Sequence, residues 1–242
     1  GIMAMPGLPP AGTRLREGPG APGGVQTGTT IMAATYDGGV ILGADSRTSS
    51  GTYIANRTAD KITQLSDRIY ICRSGSAADT QAISAYVQHY LNQHKMETGE
   101  DVDVEAGANI VMQMAYGNKD RLSAGMIVAG WDMHEGGSVW AVPMGGTLLR
   151  QPVTAGGSGS IYISGWIDKF WKPGMTKEEC KAFVVKAISL AMSRDGSSGG
   201  CIRIITINKE GSTKEFLPGN QVPLHHDELK QPAAESTAME VA

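Results

Sequence analysis

At 242 residues with 41% hydrophobic content, the chain is long enough for one sizeable domain with its own buried core. A net charge of -3 with scattered Lys and Arg gives no basic stripe, so nucleic acid is not expected as a partner. Cys72, Cys180 and Cys201 form an odd set without a C-x-x-C pair, which suits small buried residues in a reducing compartment and not a disulfide framework.

Residues 1–28 hold eight glycines and five of the eleven prolines, a composition that cannot bury enough apolar surface to order itself. We read them as a leader, followed by a domain over 29–217 and a polar, aperiodic surface tail over 218–242. At Thr29 the run T-T-I-M-A-A-T-Y begins, turns at Asp37-Gly38-Gly39 and continues as V-I-L-G-A-D, the pattern of a hairpin. Strands over 62–65 and 69–73 flank a Ser66-Asp67 turn. Two helices follow. The first opens at Ser76-x-x-Asp79 and places Ile83, Tyr86, Val87, Tyr90 and Leu91 on one stripe; the second does the same with Val104, Ala108, Val111, Met114 and Ala115.

Strands return over 126–131, 139–144 and 147–151, ahead of the loop A-G-G-S-G-S. A second helix pair is expected next, its latter member starting at the capping box Thr176-x-x-Glu179 and burying Cys180, Phe183, Val184, Ala187, Ile188 and Ala191. Strands over 201–208 and 213–217 close the domain. This order implies an α+β fold, a four-layer αββα sandwich of two antiparallel sheets with helices outside them. The longest apolar stretch, 126–131, is far short of the roughly 18 residues that span a bilayer. A soluble protein of cytoplasm and nucleus, with no membrane partner, is the expectation.

Common catalytic signatures are absent: there is no G-x-S-x-G, no H-E-x-x-H, no Walker loop, and no Cys/His set with zinc spacing. Gly157-Ser158-Gly159-Ser160 starts like a dinucleotide loop but lacks its third glycine. The histidines argue against a triad. His89 and His94 fall on the solvent side of a helix, His134 lies in a turn, and His225 and His226 lie in the tail. What is left is a threonine after a glycine, at the junction of leader and first strand. An unassisted threonine hydroxyl needs a base. If the Gly28–Thr29 bond is cut, the new α-amino group supplies one from the same residue, with a reference pKa of about 7.7–8.0. While the leader is attached that nitrogen is an amide and accepts no proton. Taken alone, though, Gly-Thr-Thr reads more commonly as the plain start of a strand.

From Thr29 to about Leu217 the chain resembles proteasome beta subunits, through G-T-T-I-M-A, G-V-I-L-G-A-D-S-R-T, A-D-K-I-T, R-S-G-S-A-A-D-T-Q, G-G-S-G-S and R-D-G-S-S-G-G in that order. The resemblance implies a threonine endopeptidase of the N-terminal-nucleophile fold, needing no cofactor and no metal. Its partners would be other alpha and beta subunits in stacked seven-membered rings, and its substrates unfolded polypeptides. Carried over by motif, Thr29 is the nucleophile, Asp45 the acid and Lys61 the lysine beside the threonine. Ser158, Asp195 and Ser198 surround the threonine amino group, and Gly75 offers its N–H to the oxyanion. Ser49, Gly75 and Ala77 would bind the substrate main chain as an added strand. Arg73 would floor the specificity pocket and favour acidic side chains, the caspase-like type; the interferon-induced counterpart carries an apolar residue there. A non-catalytic subunit of the same fold, a simpler bacterial relative and a small-molecule amidohydrolase are the competing readings.

Overall fold

The computed structural model describes residues 28–50, 52–223 and 225. The leader ahead of residue 28 and the tail from 226, His226 included, lie outside the described residues. The first hairpin forms as the sequence implies, with β1 (Ile31–Tyr36) antiparallel to β2 (Gly39–Asp45). A short pair, β3 (Thr48–Ser50) and β4 (Tyr53–Asn56), follows. Then come β5 (Ile62–Ser66), β6 (Ile69–Gly75), α1 (Ala77–Thr98), α2 (Val104–Gly117), β7 (Ala124–Asp132) and β8 (Gly136–Val142). The second half holds β9 (Leu149–Arg150), β10 (Val153–Gly156), α3 (Ser160–Phe170), α4 (Lys177–Arg194), β11 (Ile202–Asn208) and β12 (Gly211–Leu217).

One antiparallel sheet runs β10-β1-β2-β11-β12 and the other β5-β6-β7-β8-β9. The period-two alternation of β1 shows why they stack: Ile31 and Ala33 face the other sheet, while Met32 and Ala34 face α3 and α4. Ile31, Leu42, Ile62, Tyr70 and Ile127 fill the space between the sheets. A second cluster packs α1 and α2 on one sheet, through Ile83, Val87, Leu91 and Val111. A third packs α3 and α4 on the other, through Ile163, Phe183, Val184 and Ile188. Three apolar interfaces between four layers make the αββα sandwich. Both expected caps form: the Asp79 N–H donates to Ser76 Oγ at 3.3 Å, and Thr176 and Glu179 close a capping box.

Several details depart from the sequence reading. The strand expected over 147–151 shrinks to β9 beside β8, and a strand not expected, β10, follows it in the other sheet beside β1. Pro152 stands between them, and with no N–H to give a ladder it marks where the chain changes sheets. Tyr86 and Tyr90 are each 37% exposed, so the buried stripe of α1 narrows to Ile83, Val87 and Leu91. Cys201 is only partly buried, unlike Cys72 and Cys180. Beyond Leu217 the chain stays packed for some residues. Val222 joins the cluster on α4, and His225 Nε2 lies 2.8 Å from Ser189 Oγ. The β3–β4 hairpin was not legible because β4 is exposed throughout and carries no inward-facing alternation.

Candidate active site

Strand and helix ends converge at one edge of the sandwich. Thr29 lies two residues ahead of β1, and the antiparallel pairing brings Asp45, the last residue of β2, beside Thr30, with the Asp45 N–H donating to the Thr30 carbonyl at 3.1 Å. Lys61 enters β5, Ser158 sits between β10 and α3, Asp195 ends α4, and Ser198 lies in the loop to β11. Six residues scattered over the sequence therefore meet because their elements end together.

Asp45 is fully buried, and every direction around it is occupied by a donor. Its Oδ1 accepts from Lys61 Nζ at 2.7 Å and from the Thr30 N–H at 2.8 Å. Oδ2 accepts from the N–H groups of Gly199 at 3.0 Å and Arg47 at 3.2 Å. Burial pushes the Asp45 carboxyl up and the Lys61 ammonium down, while their mutual contact opposes both shifts. A lysine with its proton affinity lowered in this way is suited to exchanging a proton with a neighbouring hydroxyl.

Thr29 is 2% exposed and still joined to Gly28. Its Oγ1 donates to the Gly28 carbonyl oxygen at 2.8 Å, and Lys61 Nζ donates to the same oxygen at 3.0 Å. The carbonyl preceding the threonine is thus polarised by two donors. A second carboxylate stands on the other side: the Thr29 N–H donates to Ser158 Oγ at 3.1 Å. Ser158 and Ser198 both donate to Asp195 Oδ2, at 2.7 and 2.6 Å. The A-G-G-S-G-S loop clasps the threonine backbone, with the Gly159 N–H on the Thr29 carbonyl at 3.1 Å. Gly157 adopts φ +83°, and a Cβ there would lie 2.1 Å from the Thr29 carbonyl oxygen, so only glycine fits that approach.

The structure brings together Thr29, Asp45, Lys61, Ser158, Asp195 and Ser198. Gly75 ends β6 and lines a cleft of about 540 Å³ with Ser158, Ile31, Met126, Met144 and Leu149. Ser49 is buried on β3, and Ala77 is the exposed first residue of α1. Arg73 is the strand neighbour of Lys61, its N–H donating to the Lys61 carbonyl at 2.9 Å, but its guanidinium turns to the Asp60 carbonyl at 2.7 Å. Its Nε is buried without a hydrogen-bond partner. Burial lowers its proton affinity, though an arginine stays charged.

Sequence reasoning did not single out Thr30, Arg47, Ser197 or Gly199. Thr30 looked like an ordinary β-branched strand residue, and the backbone donors of Arg47 and Gly199 carry no side-chain signal. Away from the site, Asp103, Asp132 and His134 bring their ligand atoms within 4.8 Å of one another. Those atoms already hold protein partners: Asp132 accepts from the N–H groups of Val104, His134 and Glu135, and His134 Nδ1 contacts Asp103 at 2.8 Å.

The family described as Proteasome subunit matches residues 25–207. A proteasome subunit beta type-6 from Arabidopsis thaliana is 54% identical over 203 residues, covering 84% of this chain and 87% of that protein. Its counterpart from Dictyostelium discoideum is 55% identical over 199 residues, covering 82% and 93%. A beta type-9 subunit from Rattus norvegicus is 49% identical over 226 residues, covering 93% and 100%. With this agreement beside a threonine, lysine and aspartate already assembled, the chain belongs to the proteasome subunit family, as a beta-type subunit of the threonine-endopeptidase kind.

Proposed function

We propose that Thr29 is the nucleophile, that the chain cleaves its own Gly28–Thr29 bond, and that the freed enzyme cuts peptides preferentially after acidic residues. The observation that carries the first part is the convergence of Thr29 Oγ1 and Lys61 Nζ on the Gly28 carbonyl oxygen. In autolysis Oγ1 attacks that carbonyl carbon and its proton ends on the leaving nitrogen, the Lys61 ammonium relaying it by giving up one proton and taking another. The C–N bond breaks, Thr29 keeps an ester to Gly28 and gains a free amine, and water hydrolyses the ester. A substrate carbonyl then takes the position of the Gly28 carbonyl, with the Thr29 amine as base. Gly75 is assigned the oxyanion N–H, and Ser49, Gly75 and Ala77 the substrate main chain.

As a family member the chain assembles with other proteasome subunits. Stacked seven-membered rings, unfolded polypeptide substrates, and residence in cytoplasm and nucleus belong to the proposal. The domain limits, a leader over 1–28 and a peptidase domain from Thr29, belong to it too. N-terminal sequencing of assembled material should read Thr-Thr-Ile, and a Thr29→Ala chain should assemble without cleaving. Active enzyme that retains residues 1–28 would sink this scheme.

Relatives of both type-6 and type-9 names match at similar identity, so the post-acidic preference rests on Arg73. Its guanidinium is turned to the Asp60 carbonyl and does not line the cleft beside Gly75, so it would have to swing inward to meet a substrate carboxylate. A hydrogen bond to a charged group contributes about 1.5–3 kcal/mol, so Arg73→Leu should lower kcat/KM for Glu-ending peptides by roughly tenfold to a hundredfold. Leu-ending peptides should gain relative to them. If matched assemblies rank the two peptides alike, Arg73 is not the selector.

A further inference from the structure

We infer that Thr30 is a positioning residue for the Thr29 nucleophile, locking it through a hydroxyl bond whose proton has one direction. This inference rests on the threonine reading above. Thr30 is fully buried, and its Oγ1 lies 2.8 Å from Ser198 Oγ, a contact in which either hydroxyl could donate by distance alone. The surroundings decide. A serine carries one proton, and that of Ser198 is committed to Asp195 Oδ2 at 2.6 Å, because an ionised carboxylate only accepts. Ser198 Oγ therefore accepts, and Thr30 donates.

The same count fixes the other arm. The Ser158 proton goes to Asp195 Oδ2 at 2.7 Å in preference to the Thr29 carbonyl at 3.4 Å, so Ser158 Oγ accepts from the Thr29 N–H. Donors thus run from the Thr29 N–H through Ser158, and from the Thr30 hydroxyl through Ser198, to one carboxylate oxygen. The chain closes a loop between two adjacent residues. Meanwhile the Thr30 N–H is held by Asp45 Oδ1, the oxygen that also takes Lys61 Nζ. Thr30 is bonded into both carboxylate networks, by its backbone to Asp45 and by its hydroxyl toward Asp195. Since Thr29 is joined directly to it, this double tie sets where Oγ1 and the α-nitrogen stand relative to Lys61 and Ser158. The room for that hydroxyl is made by Gly159, where a Cβ would lie 1.9 Å from Thr30 Oγ1.

Reactions that depend on a fixed near-attack geometry lose up to about a hundredfold when the nucleophile moves by about 1 Å. Thr30→Val removes the donor and keeps the shape; Thr30→Ser keeps the donor. In assembled particles, with the Thr29→Ala assembly's rate subtracted, Thr30→Val should lower kcat by about tenfold or more and leave KM within about twofold. Gly28–Thr29 cleavage, followed by intact mass, should slow in parallel, and Thr30→Ser should recover most of both rates. The proposal is overturned if Thr30→Val keeps kcat, if KM moves in place of kcat, or if serine is as poor as valine. Thr30→Ala supplies a second hydroxyl-free chain. If valine and alanine chains both fail to assemble while serine succeeds, the hydroxyl serves folding and the positioning role falls. A fully active Thr29→Ala assembly would instead overturn the threonine reading itself.

Discussion

Replacing Gly28 by alanine tests the proposed autolytic geometry at the Gly28–Thr29 bond. A Cβ on residue 28 would stand 1.8 Å from Ser197 Cβ and 2.6 Å from the Ser197 carbonyl oxygen. Non-bonded carbons settle at about 3.5–4.0 Å, so either Gly28 or the Ser197 loop must shift by the order of 2 Å. Both choices damage the site. Moving residue 28 pulls its carbonyl from Lys61 Nζ and Thr29 Oγ1, and moving the loop displaces Asp195 and Ser198 on either side of Ser197. Loss of the lysine bond alone is a loss of about 1.5–3 kcal/mol, which slows processing by roughly tenfold to a hundredfold. The assay is intact mass of the chain through a time course of assembly, scoring the fraction that still carries residue 28. A second arm exposes Thr29 by a different protease, after which peptide hydrolysis should match the unaltered enzyme because residue 28 is gone. Processing of Gly28→Ala at the unaltered rate would refute the reasoning, since it would mean the carbonyl need not sit where Lys61 holds it.

Lys61→Ala leaves the fully buried Asp45 without its counter-charge, so the chain should lose about 3–5 kcal/mol of stability in denaturant titration along with autolysis. Adding Asp45→Asn should recover part of that loss, because it removes the stranded charge. The exposed His134 is held by Asp103 with its pKa raised above the ordinary histidine value. Its contribution is therefore complete below about pH 6.5 and disappears as pH rises through the raised folded value. The Tm difference between the unaltered chain and His134→Ala should be largest near pH 5.5 and vanish at alkaline pH. Val222→Ala removes two buried methyl equivalents from the cluster on α4 and should cost about 1–2 kcal/mol, whereas an unpacked tail would give no change.

The layers were legible because burial writes a periodic signal. The helices showed it as apolar stripes at helical spacing, whereas β1 is an unbroken apolar run, so only the structure tells that Met32 and Ala34 face the helices and Ile31 and Ala33 the other sheet. The capping serine at Ser76 and the Thr176–Glu179 box are equally local. Non-local closure was not readable. Nothing in the sequence near Leu149 and Val153 says that these strands belong to opposite sheets, although Pro152 is the residue that permits the change. The site divides in the same way. Thr29, Asp45 and Lys61 were found through motif resemblance, while Thr30, Ser197 and Gly199 act through backbone groups, steric fit or a shared hydroxyl, none of which leaves a residue-type signature.

On the proposed scheme, autolysis and peptide hydrolysis ask different things of one nitrogen, and the network around Thr29 would meet both demands. Before cleavage the nitrogen is an amide that can only donate, and Ser158 Oγ is there to accept. On the proposed scheme that amide cannot serve as the base for autolysis, and Lys61, which donates to the Gly28 carbonyl, is the group placed to relay the proton. After cleavage the nitrogen carries a lone pair. If the Ser158 proton stays with Asp195 after cleavage, Ser158 would still accept from the new amine and leave its lone pair unoccupied. The amine would then be held by one of its own hydrogens, with its basic position open to the Thr29 hydroxyl. Asp195 keeps Ser158 an acceptor in both states, so Asp195→Asn should impair hydrolysis by mature enzyme more than it slows the first cleavage. An asparagine can present an N–H to Ser158, turning that hydroxyl toward the amine lone pair and blocking the base. Comparing single-turnover processing with steady-state kcat in the same variant separates the two effects, and equal losses in both would show that Asp195 does no more than hold the loop in place.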